Sequence, residues 1–282
     1  MRVLVTGARG QLGSDVIVEL KNRGHEAVGV DVKEMDITDE SAVDSVFEEI
    51  HPDAVIHCAA WTAVDAAEDH KDSCRMINAG GTSHVARAAA RHHAKILYLS
   101  TDYVFDGQGD RPWKPEDPVT KPLNVYGQTK YEGEQAVRAA GDQYFIVRIA
   151  WVFGEHGKNF VRTMVDLGKT HDQLTVVDDQ FGTPTYTPDL ARLLVDMIGT
   201  EEYGIYHATN EGGYISWYDF AVEIFRQTGQ SVQVKPVSSL EYGAKAVRPI
   251  NSRLDKTKLK EKGFRPLPEW KDALGRYLER TY

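Results

Sequence analysis

The sequence predicts an α/β fold, a doubly wound parallel sheet carrying a smaller C-terminal α/β lobe. Two observations predict it. Through the first half, short apolar strand-like runs alternate with longer segments whose apolar residues recur at helical spacing. After Trp151 this alternation loosens into shorter, Pro-interrupted pieces, with no internal repeat and no low-complexity linker. The expected division is a first unit over 1–150, rejoined by 186–203, and a second lobe made mainly of 151–282.

The elements follow in order. Residues 2–6 form an apolar strand, and 11–23 a helix with Leu12, Val16 and Leu20 on one face and Gly24 at its stop. A second strand spans 27–31. A helix over 41–50 presents Val43, Val46, Phe47 and Ile50, and 54–58 is a third strand. A long helix through Val85 and Ala89 leads to a fourth strand at 96–99. An irregular stretch rich in Pro and Gly, 106–123, precedes a helix carrying Tyr126 and Lys130, then a strand at 145–149. In the second lobe 160–167 is helical and 174–177 extended. Thr187-Pro188-Asp189 reads as a helix start with Thr187 as cap and Pro188 in the first turn. Ser216-Trp217-Tyr218-Asp219 starts another helix, and a last one lies near 269–279.

Composition removes several function classes. The chain has 282 residues, enough for two hydrophobic units, and a formal net charge of −9, which opposes binding to a phosphate backbone. Cys58 and Cys74 have neither metal-ligand spacing nor the number for a disulfide scaffold. No apolar stretch approaches the roughly 18 residues of a membrane span. The chain begins directly with strand residues, leaving no room for a signal peptide, so a cytoplasmic protein is expected.

Gly7, Gly10 and Gly13 lie between a strand and a helix, where glycine permits a tight turn and close approach of backbone N–H groups to a pyrophosphate. This is a Rossmann-type dinucleotide site. Asp31, at the end of the second strand, can accept both adenosine-ribose hydroxyls and so favours NADH. Arg9, inside the glycine turn, can instead meet a 2′-phosphate, so the expected cofactor is NADH or NADPH. Ala60 and Trp61, after the third strand, would lie along it.

Tyr126 and Lys130 stand one turn apart on one helix face, roughly 6 Å between Cβ atoms. An ammonium about 4 Å from a phenol, at an effective dielectric near 20, could lower its pKa by up to ~3 units and make it a general acid for a carbonyl receiving hydride. Thr101, at the carboxyl end of the fourth strand, stands where open α/β sheets bind ligands and could steady the carbonyl oxygen.

With these residues the chain resembles the dTDP-4-dehydrorhamnose reductases, a family of extended short-chain dehydrogenases/reductases. The likeness runs along essentially the whole chain. It is carried by Ala60-Trp61-Thr62-Ala63-Val64-Asp65, Ser100-Thr101-Asp102-Tyr103-Val104-Phe105 and Pro122-Leu123-Asn124-Val125-Tyr126-Gly127. Asp179-Gln180-Phe181-Gly182-Thr183-Pro184-Thr185 and Arg248-Pro249-Ile250-Asn251-Ser252-Arg253-Leu254 are more specific still. The resemblance implies reduction of the 4-keto group of a dTDP-sugar. It places Thr101, Tyr126 and Lys130 in the catalytic group. Gly10, Gln11, Leu12, Asp31, Asp36, Ile37, Ala60, Trp61, Thr62, Leu99, Tyr126 and Lys130 match cofactor positions. Thr101, Asp102 and Trp151 would touch the sugar, with Val64, Asp65 and Tyr103 nearby, and Arg248 and Asn251 are candidates for the nucleotide portion. Trp61 and Trp151 read alternatively as core fillers.

Some members are dimers held by magnesium between carboxylates. The segments Tyr186-Thr187-Pro188-Asp189 and Glu279-Arg280-Thr281-Tyr282 do not reproduce that acidic register. No metal site is expected, and the chain is read as a monomer or a homodimer. Two competing readings remain at this level. A nucleotide-sugar dehydratase needs an Asp-Glu pair after the threonine, and Asp102-Tyr103 lacks the second carboxylate. A non-catalytic regulatory subunit would keep the fold as a binding module, but has no need of Thr101, Tyr126 and Lys130 together.

Overall fold

A computed structural model describes residues 1–282. Strands β1 (Arg2–Thr6), β2 (Glu26–Val30), β3 (Ala54–His57), β4 (Lys95–Thr101) and β5 (Tyr144–Ile149) alternate with helices α1 (Gln11–Asn22), α2 (Glu40–Ile50), α3 (Val64–Ala67), α4 (Lys71–Arg75), α5 (Thr82–Arg91) and α6 (Val125–Ala140). A single π-helical turn, Met76–Gly81, joins α4 to α5. The second half adds short strands β6 (Val152–Phe153), β7 (Gln173–Val177), β8 (Phe181–Gly182) and β9 (Thr185–Tyr186), with helices α7 (Phe160–Leu167) and α8 (Thr187–Ile198). It continues through β10 (Gly204–His207), β11 (Ile215–Ser216), α9 (Trp217–Thr228), β12 (Gln233–Val237), α10 (Ser239–Tyr242), α11 (Thr257–Glu261) and α12 (Trp270–Thr281).

The central sheet has six strands in the order β10-β5-β4-β3-β1-β2, and every pair is parallel. Alternation along the strands fills both faces. Val3 and Val5 of β1, with Leu97 and Leu99 of β4, meet α1 and the apolar stripe Leu190, Leu194 and Ile198 of α8. Leu4, Val55, Tyr98 and Ile146 point the other way, onto Phe47 of α2, Val85 and Ala89 of α5 and Val137 of α6. The C-terminal lobe has its own core, in which Phe153, Tyr186, Phe220, Trp270 and Tyr277 pack ring against ring.

Three differences from the sequence reading have physical causes. β10, to which the sequence reading assigns no strand, takes its edge place by pairing in parallel with β5. Tyr186, not Thr187, is the extended cap residue of α8, because Thr187 already lies in the first helical turn beside Pro188. β4 runs to Thr101, since Ser100 and Thr101 still pair with Arg148 and Ile149 of β5.

Candidate active site

The glycine turn is shaped by contacts that forbid a side chain. Gly7 has φ +65°, and a Cβ there would lie 2.8 Å from the backbone nitrogen of Ala59, after β3. A Cβ on Gly13 would lie 2.1 Å from the Gly7 carbonyl oxygen. The turn therefore sits against both β3's exit and the first turn of α1. Gly10 is the extended cap of α1 and offers no side chain, leaving Gln11 and Leu12 to present their backbone at an uncapped helix N-terminus. This cradle fits a pyrophosphate.

Asp31 follows β2 and accepts a hydrogen bond from the Arg9 backbone N–H at 2.8 Å. Asp36 is turned onto Thr38, accepting from its N–H and hydroxyl at 2.9 and 2.8 Å, which hold its carboxyl below the usual range. Ile37 is buried against the π-helical turn, where a Cβ on Gly81 would meet it at 2.6 Å. Ala60, Trp61 and Thr62 continue from β3. Trp61 belongs to no core cluster, and its backbone is clamped by Asn78, which accepts from the Trp61 N–H at 2.8 Å and donates to its carbonyl at 3.2 Å. Leu99 lies within the core on the face shared with α1 and α8.

Thr101 and Lys130 are buried and Tyr126 is half-buried, at the carboxyl end of β4 and in the first two turns of α6. Gly127 allows this closeness, because a Cβ there would meet the Tyr103 carbonyl oxygen at 2.1 Å. Asn124 caps α6 by accepting from the Gly127 N–H at 2.8 Å, and Glu68 accepts from the Val125 N–H at 2.8 Å. The Thr101 hydroxyl donates to Asp102 at 2.9 Å. Asp102 is buried, its other carboxylate oxygen has no partner, and burial lifts its pKa to about 6. Tyr103 packs edge-on against Tyr126.

Lys130 does not lower the Tyr126 phenol as its spacing predicts. Burial pushes the phenol above its ordinary value, with Thr101 acting in the opposite direction. The Lys130 ammonium lies 4.1 Å from the centroid of the Tyr98 ring. Burial lowers its own pKa to about 7, against the pull of Glu134. Tyr126 is accordingly a firmly protonated acid, and His57, locked between Thr6 and Thr82, stays neutral.

Asp65, just inside α3, is bridged by Arg248 at 2.7 and 3.1 Å, and Val64 opens that helix. Asn251 is directed elsewhere. Its amide donates to the carbonyls of Arg111 and Gln108, organising the irregular 106–123 stretch. Trp151 holds φ +52° and stacks on Trp217 at 3.8 Å between centroids, its half-buried ring packing against the lobe core and against the smaller cluster of Val104, Phe105, Ala150 and Leu254. Sequence reasoning missed Asn78, Asn124, Glu68 and the buried Glu134–Arg148 pair; only Asn124 carried a local signal, as an acceptor three residues before Gly127.

A parallel sheet with a glycine cradle at β1 and a Thr-Tyr-Lys group at β4 and α6 defines an extended short-chain dehydrogenase/reductase. The family model described as the RmlD substrate binding domain matches residues 1–282, and the chain belongs to that family. It is 45% identical over 280 residues to the dTDP-4-dehydrorhamnose reductase of Streptomyces griseus, covering 97% of this chain and 91% of that protein. Among solved structures, it is similar to the dTDP-4-dehydrorhamnose reductase of Clostridium acetobutylicum, with TM-score 0.96, 46% identity and 99% of each chain covered. It is equally similar in shape, at TM-score 0.96 and 43% identity over 99% of each chain, to the Bacillus anthracis dTDP-4-dehydrorhamnose reductase in complex with NADP.

Proposed function

We propose that this protein reduces the 4-keto group of dTDP-4-dehydro-β-L-rhamnose to give dTDP-L-rhamnose, the last step of dTDP-rhamnose biosynthesis. Buried Thr101 and Lys130 with half-buried Tyr126, on the same parallel sheet whose first strand runs into the glycine cradle, carry this reading. Gly7, Gly10, Gln11, Leu12 and Gly13 hold the pyrophosphate of NADH or NADPH, Asp31 its adenosine ribose, and Ala60, Trp61 and Thr62 flank it. When bound, the nicotinamide supplies a hydride to C4. Tyr126 gives its phenolic proton to the carbonyl oxygen, Thr101 steadies that oxygen, and the Lys130 ammonium stabilises the phenolate left behind. The unpartnered Asp102 oxygen suits a sugar hydroxyl.

In this reading 1–150 with 186–203 serves the cofactor and 151–282 mainly the nucleotide sugar. The protein acts in the cytoplasm on a dTDP-sugar, as a monomer or homodimer, with no nucleic-acid partner. No helix is long and apolar enough to cross a membrane.

The test is to mix protein with freshly made dTDP-4-dehydro-L-rhamnose and follow nicotinamide absorbance with each cofactor. Rapid oxidation is expected, and Tyr126→Phe should lower kcat by about 10²–10⁴ while KM stays within a few-fold. Equal loss in both parameters would remove the acid role from Tyr126. Bound cofactor without oxidation would point to another keto sugar or a regulatory role.

A further inference from the structure

Between β2 and α2 lies a small charged group that the catalytic reading leaves unused. Glu34 is exposed, yet its carboxylate is fixed from two sides. One oxygen accepts from the Asp31 backbone N–H at 3.0 Å, and both oxygens receive the Arg9 guanidinium, at 2.5 and 3.1 Å. The same guanidinium lies 3.5 Å from Asp31, whose carboxylate also takes the Arg9 backbone N–H. One cation is thus shared by two carboxylates, and Lys33 beside them makes no ion pair.

This is the place where the second ribose carbon of an adenine dinucleotide must be read. A free ribose hydroxyl pair donates to a carboxylate such as Asp31. A 2′-phosphate brings roughly −1.5 to −2 charges and calls for a guanidinium fork. Arg9 is the only arginine in the glycine turn, and its fork already faces Glu34.

We propose that Glu34 sets cofactor choice, by holding Arg9 and adding a second negative charge beside Asp31, so that NADH is preferred and NADPH is admitted only when Arg9 exchanges its carboxylate for phosphate. Exposed ion pairs are weak and exchange readily, so the device grades affinity instead of closing the site to one cofactor. The arrangement rests on the reductase reading only for the use of a nicotinamide dinucleotide, not for the sugar. The low pKa of Glu34, near 2 because Arg9 and the Asp31 N–H hold the anion, keeps the device charged at any working pH.

The deciding measurement is calorimetric titration of NAD⁺ and NADP⁺ into the intact protein without any sugar. Glu34→Gln keeps an acceptor for the Asp31 N–H while removing the charge. It should tighten NADP⁺ about ten-fold and leave NAD⁺ within about two-fold. In the double variant Arg9→Met/Glu34→Gln that gain should disappear. An unchanged ratio, an equal change for both cofactors, or a gain that survives without Arg9 would overturn the proposal. Because no sugar is present, failure of the reductase reading would leave this result intact and separately legible.

Discussion

Lys130 shows how far a residue's chemistry can depart from its spacing. The i, i+4 relation to Tyr126 was plain in the sequence, because 3.6 residues per turn fix which Cβ atoms are neighbours. Where the long side chain ends was not, since that depends on the Tyr98 ring contributed by β4. Nor does spacing carry the burial that lifts the phenol and depresses the ammonium. The depressed pKa has a cost for folding. Between the folded value of about 7 and the unfolded value near 10.4, the unfolded chain binds more protons, so stability rises with pH through that window. Below it the full penalty of a buried charge is present. Lys130→Met should therefore raise the free energy of unfolding by on the order of 1–3 kcal/mol at pH 7, with the gain shrinking toward pH 10, while turnover collapses. Urea titrations at the two pH values check this; a variant destabilised equally at both would contradict it.

At the level of elements, α6 is held under the site by charge as well as by apolar packing. Glu134, two turns beyond Tyr126, receives the Arg148 guanidinium of β5 at 2.7 and 2.8 Å and the Ser100 hydroxyl of β4 at 2.6 Å, all buried. Removing one partner leaves the other charge unpaired in the interior. Glu134→Gln should cost about 3–5 kcal/mol by denaturant unfolding, whereas Glu40→Gln, in an exposed pair with Arg87, should cost no more than about 1 kcal/mol. Equal losses would mean that solvent screens the inner pair. Strong periodicity made β1 and α7 legible to the residue, and the start of α9 is marked by a full capping box of Ser216 and Asp219. The π-helical turn was illegible. One extra residue per turn leaves no mark on composition, and its reason lies in tertiary contacts, where Asn78 bonds the Trp61 backbone and the Thr129 hydroxyl at once.

For the whole molecule, the chain passes repeatedly between the central sheet and the C-terminal lobe. α8 lies on the sheet face opposite α6, β10 extends the sheet, and Arg276 of α12 reaches back to Asp189 of α8 at 2.7 and 2.9 Å. Asn210, just beyond β10, ties Asp189 and the Pro268 carbonyl together. Heating should accordingly produce one transition, with near- and far-UV circular dichroism coinciding; two separated steps would show the lobes to be independent. The fold class was visible because alternating strands and helices leave few topologies. β10 was not, being four residues with Gly204 at its start and only half of them buried. Its late position in the chain also matters on the ribosome. β5 is made well before its outer neighbour, and at about 5–20 residues per second that lag lasts several seconds. During it a parallel strand, Tyr144–Ile149, presents bare N–H and C=O groups to every other nascent chain nearby. That edge of the sheet stays open to pairing with other chains until Gly204–His207 docks on it.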